Sequence, residues 1–389
     1  MFGLKLLGKM LEEEKPEVEA QRCVRKFRRA TCDRCLQDCP AQAIQLGTIP
    51  RLDESRCVGC GICANVCPTG AFVSPTIERL VSSVEANGGR FFCSRAEDGA
   101  RSGIEVPCLG MLNEGMLIAA VLPGEGRRIL SLDVSHCRKC QLRNARVVID
   151  RTVDRANSIL RTLGSEKTII LDDTARETQV AEQQRSRRDF FNYLRGQALK
   201  VAAESVDDIL DETLSFTQVP RNSTDKVPIK HAILQHEIEA LLANSPEDTK
   251  QGCIPFGSPL PPDKCEFCGI CATACPSDAL KIQETDDDWE LLLEKWRCLD
   301  CRACVDTCPT NGLRYGDSRE AFQMIAEQHT TLIHADKIAC ASCGRKFASP
   351  NGEDLCPSCE KGSGIDDFFT IGPSKQSHAL STASHGKER

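Results

Sequence analysis

The spacing of the cysteines constrains this chain more than anything else in it. Of 25 cysteines in 389 residues, all but Cys253 fall into four groups separated by Cys-free sequence. The first holds Cys23, Cys32, Cys35, Cys39, Cys57, Cys60, Cys63 and Cys67. The second holds Cys93, Cys108, Cys137 and Cys140. After a Cys-free stretch from 141 to 252, the third holds Cys265, Cys268, Cys271, Cys275, Cys298, Cys301, Cys304 and Cys308. The fourth holds Cys340, Cys343, Cys356 and Cys359. No apolar run reaches the ~18 residues of a membrane span. The opening MFGLKLLGKMLEEEKPE turns acidic and lacks a small-residue cleavage site, so it reads as no secretory signal. A cytoplasmic chain keeps its thiols reduced. An odd count cannot all pair. The cysteines therefore point to metal.

The third group reads C-E-F-C-G-I-C-A-T-A-C-P and then C-L-D-C-R-A-C-V-D-T-C-P, the C-x2-C-x2-C-x3-C-P run twice over. A [4Fe–4S] cube needs four converging thiolates. A tight loop supplies three, and in two-cluster ferredoxins the last Cys of the run ligates the other cube. These residues resemble a bacterial-type 2[4Fe–4S] ferredoxin domain over 253–318. The resemblance assigns Cys265, Cys268, Cys271 and Cys308 to one cube, and Cys298, Cys301, Cys304 and Cys275 to the other. The first group resembles a second such domain over 21–78, with Cys57, Cys60, Cys63 and Cys39 holding one cube. Its other run departs from the pattern: Arg29 stands where the first Cys of a regular run would be. Cys23 then joins Cys32, Cys35 and Cys67 across a six-residue insertion. The alternative leaves Cys23 unused, with a three-iron cluster or an open iron.

The second group lies in a different setting. Short strand-like runs, GRFFCSR and IEVPCLG, carry Cys93 and Cys108. The helix-like MLNEGMLIAAVL and the strand-like RRILSLD lead to Cys137-x2-Cys140, and a helix and the strand KTIILDD follow. Alternation of this kind predicts a small α/β domain with a parallel sheet over 88–173. Its cysteines would sit at the carboxyl edge of the strands, where such sheets keep their sites. Cys93, Cys108-Leu109-Gly110, Cys137, Cys140, Asn144 and the helix-Gly-strand tail resemble the delta subunit of methyl-viologen-reducing hydrogenase. That resemblance implies a [2Fe–2S] centre linking hydrogenase to heterodisulfide reductase. A second Cys near the first and a wider final pair, both frequent in that family, are absent. Four thiolates suffice for one [2Fe–2S] or one [4Fe–4S]; zinc and buried structural thiols are the alternatives.

In the fourth group, two C-x2-C pairs twelve residues apart have zinc-ribbon spacing, assigned to 335–362. Rubredoxin-like iron is the alternative. Cys253, before the Pro-rich IPFGSPLPP, reads as a free or buried thiol. An N-terminal helix is expected over 1–20. A helical linker is expected over 176–250, with patterns at 180–214 and 229–243. A mostly disordered Ser-rich tail is expected over 363–389. The fold class is thus multidomain α+β and α/β.

No dinucleotide, P-loop, zinc-protease or nucleophile-elbow motif occurs, so no substrate site is recognisable. The basic run RCVRKFRR at 22–29 reads as compensation for anionic metal sites or as a docking patch. A net charge of −7 argues against a nucleic-acid protein. With six four-thiolate sites loaded, each near −2, the chain would carry about −19. The expected function is a polyferredoxin-like, non-catalytic electron-transfer subunit of anaerobic metabolism. Its partner would be the catalytic subunit of a hydrogenase, heterodisulfide-reductase-like, formate or aldehyde oxidoreductase complex. Electrons would enter one ferredoxin domain, cross or skirt the middle domain, and leave by the other. A self-contained iron–sulfur oxidoreductase and a metal-bearing nucleic-acid or assembly factor are the alternatives.

Overall fold

The computed structural model describes residues 15–74, 90–96, 104–123, 126, 128–174, 226–245, 251–350 and 352–360. Most of the expected N-terminal helix, the pattern at 180–214 and the tail from 363 lie outside the described residues. The described residues divide into two compact units, one drawn from 1–283 and 291–333 and the other from 284–290 and 334–389.

The larger unit begins with four short strands: β1 (Glu17–Val18), β2 (Ile44–Gln45), β3 (Arg51–Leu52) and β4 (Phe72–Val73). β1 pairs antiparallel with β4, and β2 with β3. The described end of the expected helix over 1–20 is not helical at 15–18. Residues 17–18 are ladder, because Glu17 and Val18 extend to pair with Val73 and Phe72. Two short helices, α1 (Arg34–Gln37) and α2 (Ile62–Val66), lie between the strands and pack on each other.

The middle region is a four-stranded parallel sheet of β5 (Arg90–Cys93), β6 (Ile104–Val106), β7 (Ile129–Asp133) and β8 (Thr168–Asp172), in the order β6-β5-β7-β8. Helix α3 (Glu114–Val121) starts at Asn113, whose side chain accepts a 3.0 Å bond from the Met116 N–H and so caps an otherwise orphaned donor. Helix α4 (Ala145–Thr162) buries Ala145, Val148, Ile149, Thr152, Val153, Ala156, Ile159 and Leu160, a three-and-four stripe turned to the core. It ends at Gly164, whose positive φ of 73° suits a residue without Cβ.

Every residue of α3 from Gly115 to Val121 is buried. A helix apolar all round needs cover on all sides, and α5 (Ile229–Ala243) supplies it. The fit is close: a Cβ on Gly115 would lie 2.9 Å from the Leu234 backbone nitrogen. The expected helix at 229–243 therefore packs into the same core as the sheet, where the sequence had suggested a linker.

The chain then returns through β9 (Cys253–Ile254), β10 (Ser258–Leu260), β11 (Leu280–Glu284), β12 (Asp288–Glu294), β13 (Arg314–Gly316) and β14 (Arg319–Glu320). β10 pairs antiparallel with β13, and β9 with β14. Helices α6 (Ile270–Thr273) and α7 (Ala303–Thr307) pack together here, as α1 and α2 do in the first domain. In the smaller unit, the end of β15 (His329–Ala339) pairs antiparallel with β16 (Lys346–Ser349), followed by one helical turn, α8 (Pro357–Glu360). No described helix is long and apolar enough to cross a membrane.

Candidate metal centres

Three cysteine runs bend in the same way, because left-handed residues sit between their cysteines. They are Gly59 (φ 62°) and Gly61 (73°), Phe267 (49°) and Gly269 (76°), and Asp300 (54°) and Arg302 (62°). Each reversal keeps three sulfurs on one side of the loop. A non-glycine side chain at such angles is unusual, so the loop geometry outweighs the local cost at Phe267, Asp300 and Arg302. After each Cys-Pro the chain turns again at Gln42, Gly70, Asp278 or Asn311, all at positive φ.

The run with the insertion is built otherwise. Asp33, between Cys32 and Cys35, has φ −135° and no left-handed turn. Cys23 leaves a 3-10 turn at φ −73°, ψ 126°, close to Cys298 at φ −72°, ψ 120° after its own 3-10 turn. Cys23 thus has the local backbone conformation that Cys298 has in the second domain.

Three cavities are each walled by four cysteines. Each is small, about 20 Å³. One is lined by Cys265, Cys268, Cys271 and Cys308. A second is lined by Cys39, Cys57, Cys60 and Cys63. A third is lined by Cys275, Cys298, Cys301 and Cys304. Cys23, Cys32, Cys35 and Cys67 are mutual electrostatic neighbours. Burial pushes thiols in all four groups up, Cys35 and Cys271 to about 12 and Cys60 to about 11. Neighbouring cysteines add to the rise. Four thiolates around one apolar void would be costly unless a cation compensated them. A cube's irons would provide that compensation, so the donor sets suit [4Fe–4S].

Backbone amides reach the sulfurs of the Cys-Pro cysteines: Ala43 N–H to Cys39 (3.3 Å), Ala71 N–H to Cys67 (3.2 Å) and Ala279 N–H to Cys275 (3.2 Å). A hydroxyl two residues past the cysteine approaches the same sulfur at Thr69 (3.6 Å), Ser277 (3.8 Å) and Thr310 (3.4 Å). Ala41 holds that place after Cys39 and has none to offer. Burial acts to raise the Cys308 thiol. Bonds from Thr310 and from the Leu313 and Gly312 N–H groups outweigh it and hold the thiol below its ordinary value.

In the middle region, Cys93 ends β5 and Cys108 follows β6, while Cys137 and Cys140 follow β7. All four lie toward the carboxyl ends of the strands. Cys108 neighbours Cys93, Cys60 and Cys137, and Cys137 neighbours Cys93 and Cys140. Burial raises both thiols, Cys137 to about 11. Arg95, from the loop after β5, donates to the Val58 carbonyl at 2.6 Å and so joins this site to the Cys57–Cys63 loop. Ile62 and Gly110 close the seam: a Cβ on Gly110 would meet the Ile62 side chain at 2.9 Å. Asn65, buried, donates to the Gly110 and Leu112 carbonyls at 2.9 Å each.

In the smaller unit, the sulfurs of Cys340, Cys343, Cys356 and Cys359 lie within 4.8 Å of one another. N–H groups of Cys356 and Cys343 hold the Cys340 thiol below its ordinary value, while the hydrogen bond with the Cys356 side chain pushes Cys359 up to about 12. Cys253 is exposed on β9.

Sequence reading missed Lys230. Its buried ammonium donates to the Ala64 (3.3 Å) and Asn65 (2.5 Å) carbonyls of α2. Burial pulls its pKa down to about 8, against the pull of nearby Cys67. Nothing local in the sequence marks it, because the partner carbonyls are some 165 residues away. A polar cleft beside it contains Arg34, Arg151 and Arg155. Its cations are already matched: Arg151 pairs with Asp38 at 2.6 Å and Arg155 with Glu114 at 3.1 Å.

Comparison with known families agrees with these loops. A 4Fe–4S dicluster domain matches residues 260–309, and a 4Fe–4S binding domain matches residues 50–73. An uncharacterized ferredoxin of Methanocaldococcus jannaschii is 50% identical over 38 residues. That match spans 10% of this chain and a quarter of the relative's length. The chain thus carries two ferredoxin-type 4Fe–4S domains in a mixed helix-and-sheet, multidomain structure, and these domains suggest electron transfer.

Proposed function

We propose that this chain is a polyferredoxin-like electron-transfer subunit. The carrying observation is the three cavities, each enclosed by three cysteines of one run and the last cysteine of its sister run. On this reading Cys265, Cys268, Cys271 and Cys308 hold one cube, and Cys298, Cys301, Cys304 and Cys275 a second. Cys57, Cys60, Cys63 and Cys39 hold a third, and Cys23, Cys32, Cys35 and Cys67 a fourth. Cys93, Cys108, Cys137 and Cys140 hold a further iron–sulfur centre, supported by their convergence beside Cys60. Cys340, Cys343, Cys356 and Cys359 hold zinc, whose tetrahedral preference fits two C-x2-C pairs. A cube supplies storage for one electron at a low potential. The protein provides sulfur ligands, amide donors to those sulfurs and burial. The partner is a catalytic redox subunit that handles electron pairs, of the hydrogenase, heterodisulfide-reductase-like, formate or aldehyde oxidoreductase kind.

Anaerobic iron and acid-labile sulfide analysis of the purified chain tests the reading. Four cubes and a further centre give about 18–20 irons, and fewer than about 12 would defeat it. Cys301→Ala should remove one cube's contribution and leave the zinc in place.

A further inference from the structure

The two ferredoxin domains, far apart in sequence, touch directly. The contact is made by the insertion that spoils the regular spacing of the first run. Val24 and Ala30 are buried against Ala303 of α7, and Cys32 and Cys301 pack on the same small group. The Thr31 N–H and hydroxyl both donate to the Asp306 carboxylate, at 2.8 and 2.7 Å. Arg34 donates to the Asp300 carbonyl at 2.9 Å. Arg29, in the place of the missing cysteine, reaches the Cys308 carbonyl at 3.3 Å.

The other neighbour relations form a single row. Cys108 shares a buried group with Cys60 and Ile62. Helices α1 and α2 pack together, bringing the Cys35 run beside the Cys63 run. Helices α6 and α7 pack together, bringing Cys271 beside Cys304. At the far end Cys268 is exposed. At the near end the Cys137–Cys140 turn carries exposed Arg138 and Lys139.

We propose that residues 24–31 are an electronic joint that couples the two ferredoxin domains directly. The five cysteine sites then form one unbranched series, with ends at Cys137/Cys140 and at Cys268. This inference rests on the relay reading above and changes its route. The middle site becomes a terminus, where the sequence had left open whether electrons cross the middle domain or skirt it. Each transfer along the series moves one electron, supplied by a one-electron donor such as a reduced redox protein or dithionite, and makes or breaks no bond.

The test is magnetic. The full chain is reduced with dithionite under anaerobic conditions, and electron paramagnetic resonance reads spin–spin broadening between neighbouring centres. Removing the site nearest the joint with Cys301→Ala/Cys304→Ala should sharpen the resonance of the Cys23/Cys32/Cys35/Cys67 cube. Removing the terminal site with Cys137→Ala/Cys140→Ala should alter only the cube at Cys57/Cys60/Cys63/Cys39. Ala30→Arg, which wedges the joint, should abolish broadening between the domains with iron content unchanged. Thr31→Val, which removes one hydroxyl bond, should reduce it in a fully folded chain. A first-domain spectrum unaffected by loss of the Cys301/Cys304 site would overturn the proposal. So would a second-domain spectrum altered by loss of the Cys137/Cys140 site. An iron count too low for four cubes in the unaltered chain would instead defeat the relay reading itself, so the two failures are separable.

Discussion

At the scale of single residues, the four Cys-Pro cysteines differ in one hydrogen bond. Thr310 brings its hydroxyl to 3.4 Å from the Cys308 sulfur, and Thr69 and Ser277 occupy the same place in two other runs. A donor aimed at a ligand sulfur favours the more negative, reduced cluster and so raises its potential. Thr310→Val keeps the side-chain shape and removes the donor. A differential bond of about 0.5–1 kcal/mol corresponds to roughly 20–40 mV for a one-electron couple. The cube assigned to Cys265, Cys268, Cys271 and Cys308 should therefore shift more negative by that amount in a redox titration. An unchanged or more positive potential would count against hydroxyl tuning. The cube assigned to Cys57, Cys60, Cys63 and Cys39, with Ala41 in that place, supplies the natural comparison.

At the scale of elements, two helices that are remote in sequence depend on one glycine. Gly115 in α3 lets the backbone of α5 come so close that a Cβ would lie 2.9 Å from the Leu234 nitrogen and 3.1 Å from its Cα. Alanine is the better helix former by about 1 kcal/mol, which alone predicts stabilisation. The backbone of Leu234 cannot swing aside like a flexible side chain, and overpacking of this kind costs about 1–3 kcal/mol. Gly115→Ala should thus lower the melting temperature; a rise would mean that α5 is held loosely on α3. The same contact marks the boundary of what the sequence reveals. The cysteine loops are legible because ligand geometry forces both the spacing and the turn residues, as at Gly59, Gly61 and Gly269. The helical period at 229–243 is also legible, since periodicity is local. Its destination is not: contacts remote in sequence define it, such as Gly115 against Leu234 and Lys230 on the carbonyls of α2. The joint was hidden for a similar reason. Thr31 and Asp306 stand 275 residues apart, and the insertion carrying Thr31 looked like a defect in a motif. The basic run at 22–29 was visible as charge, but its role as a bridge emerges only when Arg29 is seen on the Cys308 carbonyl.

At the scale of the whole molecule, the division into two units separates two kinds of cysteine spacing. The larger unit holds the ferredoxin-type loops around aliphatic cores. Among its described residues the smaller has little core of its own: Ala335, Cys340 and Cys356 are its buried apolar residues. A unit that buries so little cannot offset its chain entropy without a staple. The Cys340 sulfur takes a 3.3 Å bond from the Cys356 N–H, and the Cys343 and Cys356 sulfurs approach to 3.8 Å. Once ionised, sulfurs this close would repel and need a cation to hold them. Bound zinc would therefore contribute most of this unit's folding free energy. A chelator that strips one zinc per chain should open 334–360 to proteolysis. The visible absorbance and sulfide content of the larger unit should be retained. Mass spectrometry of the fragments and metal analysis of the released ion read the two arms together. Release of iron in place of zinc would assign a rubredoxin-like site and add a redox centre to the chain. Continued resistance to protease after metal loss would mean that the β15–β16 hairpin is self-supporting and the metal is not structural.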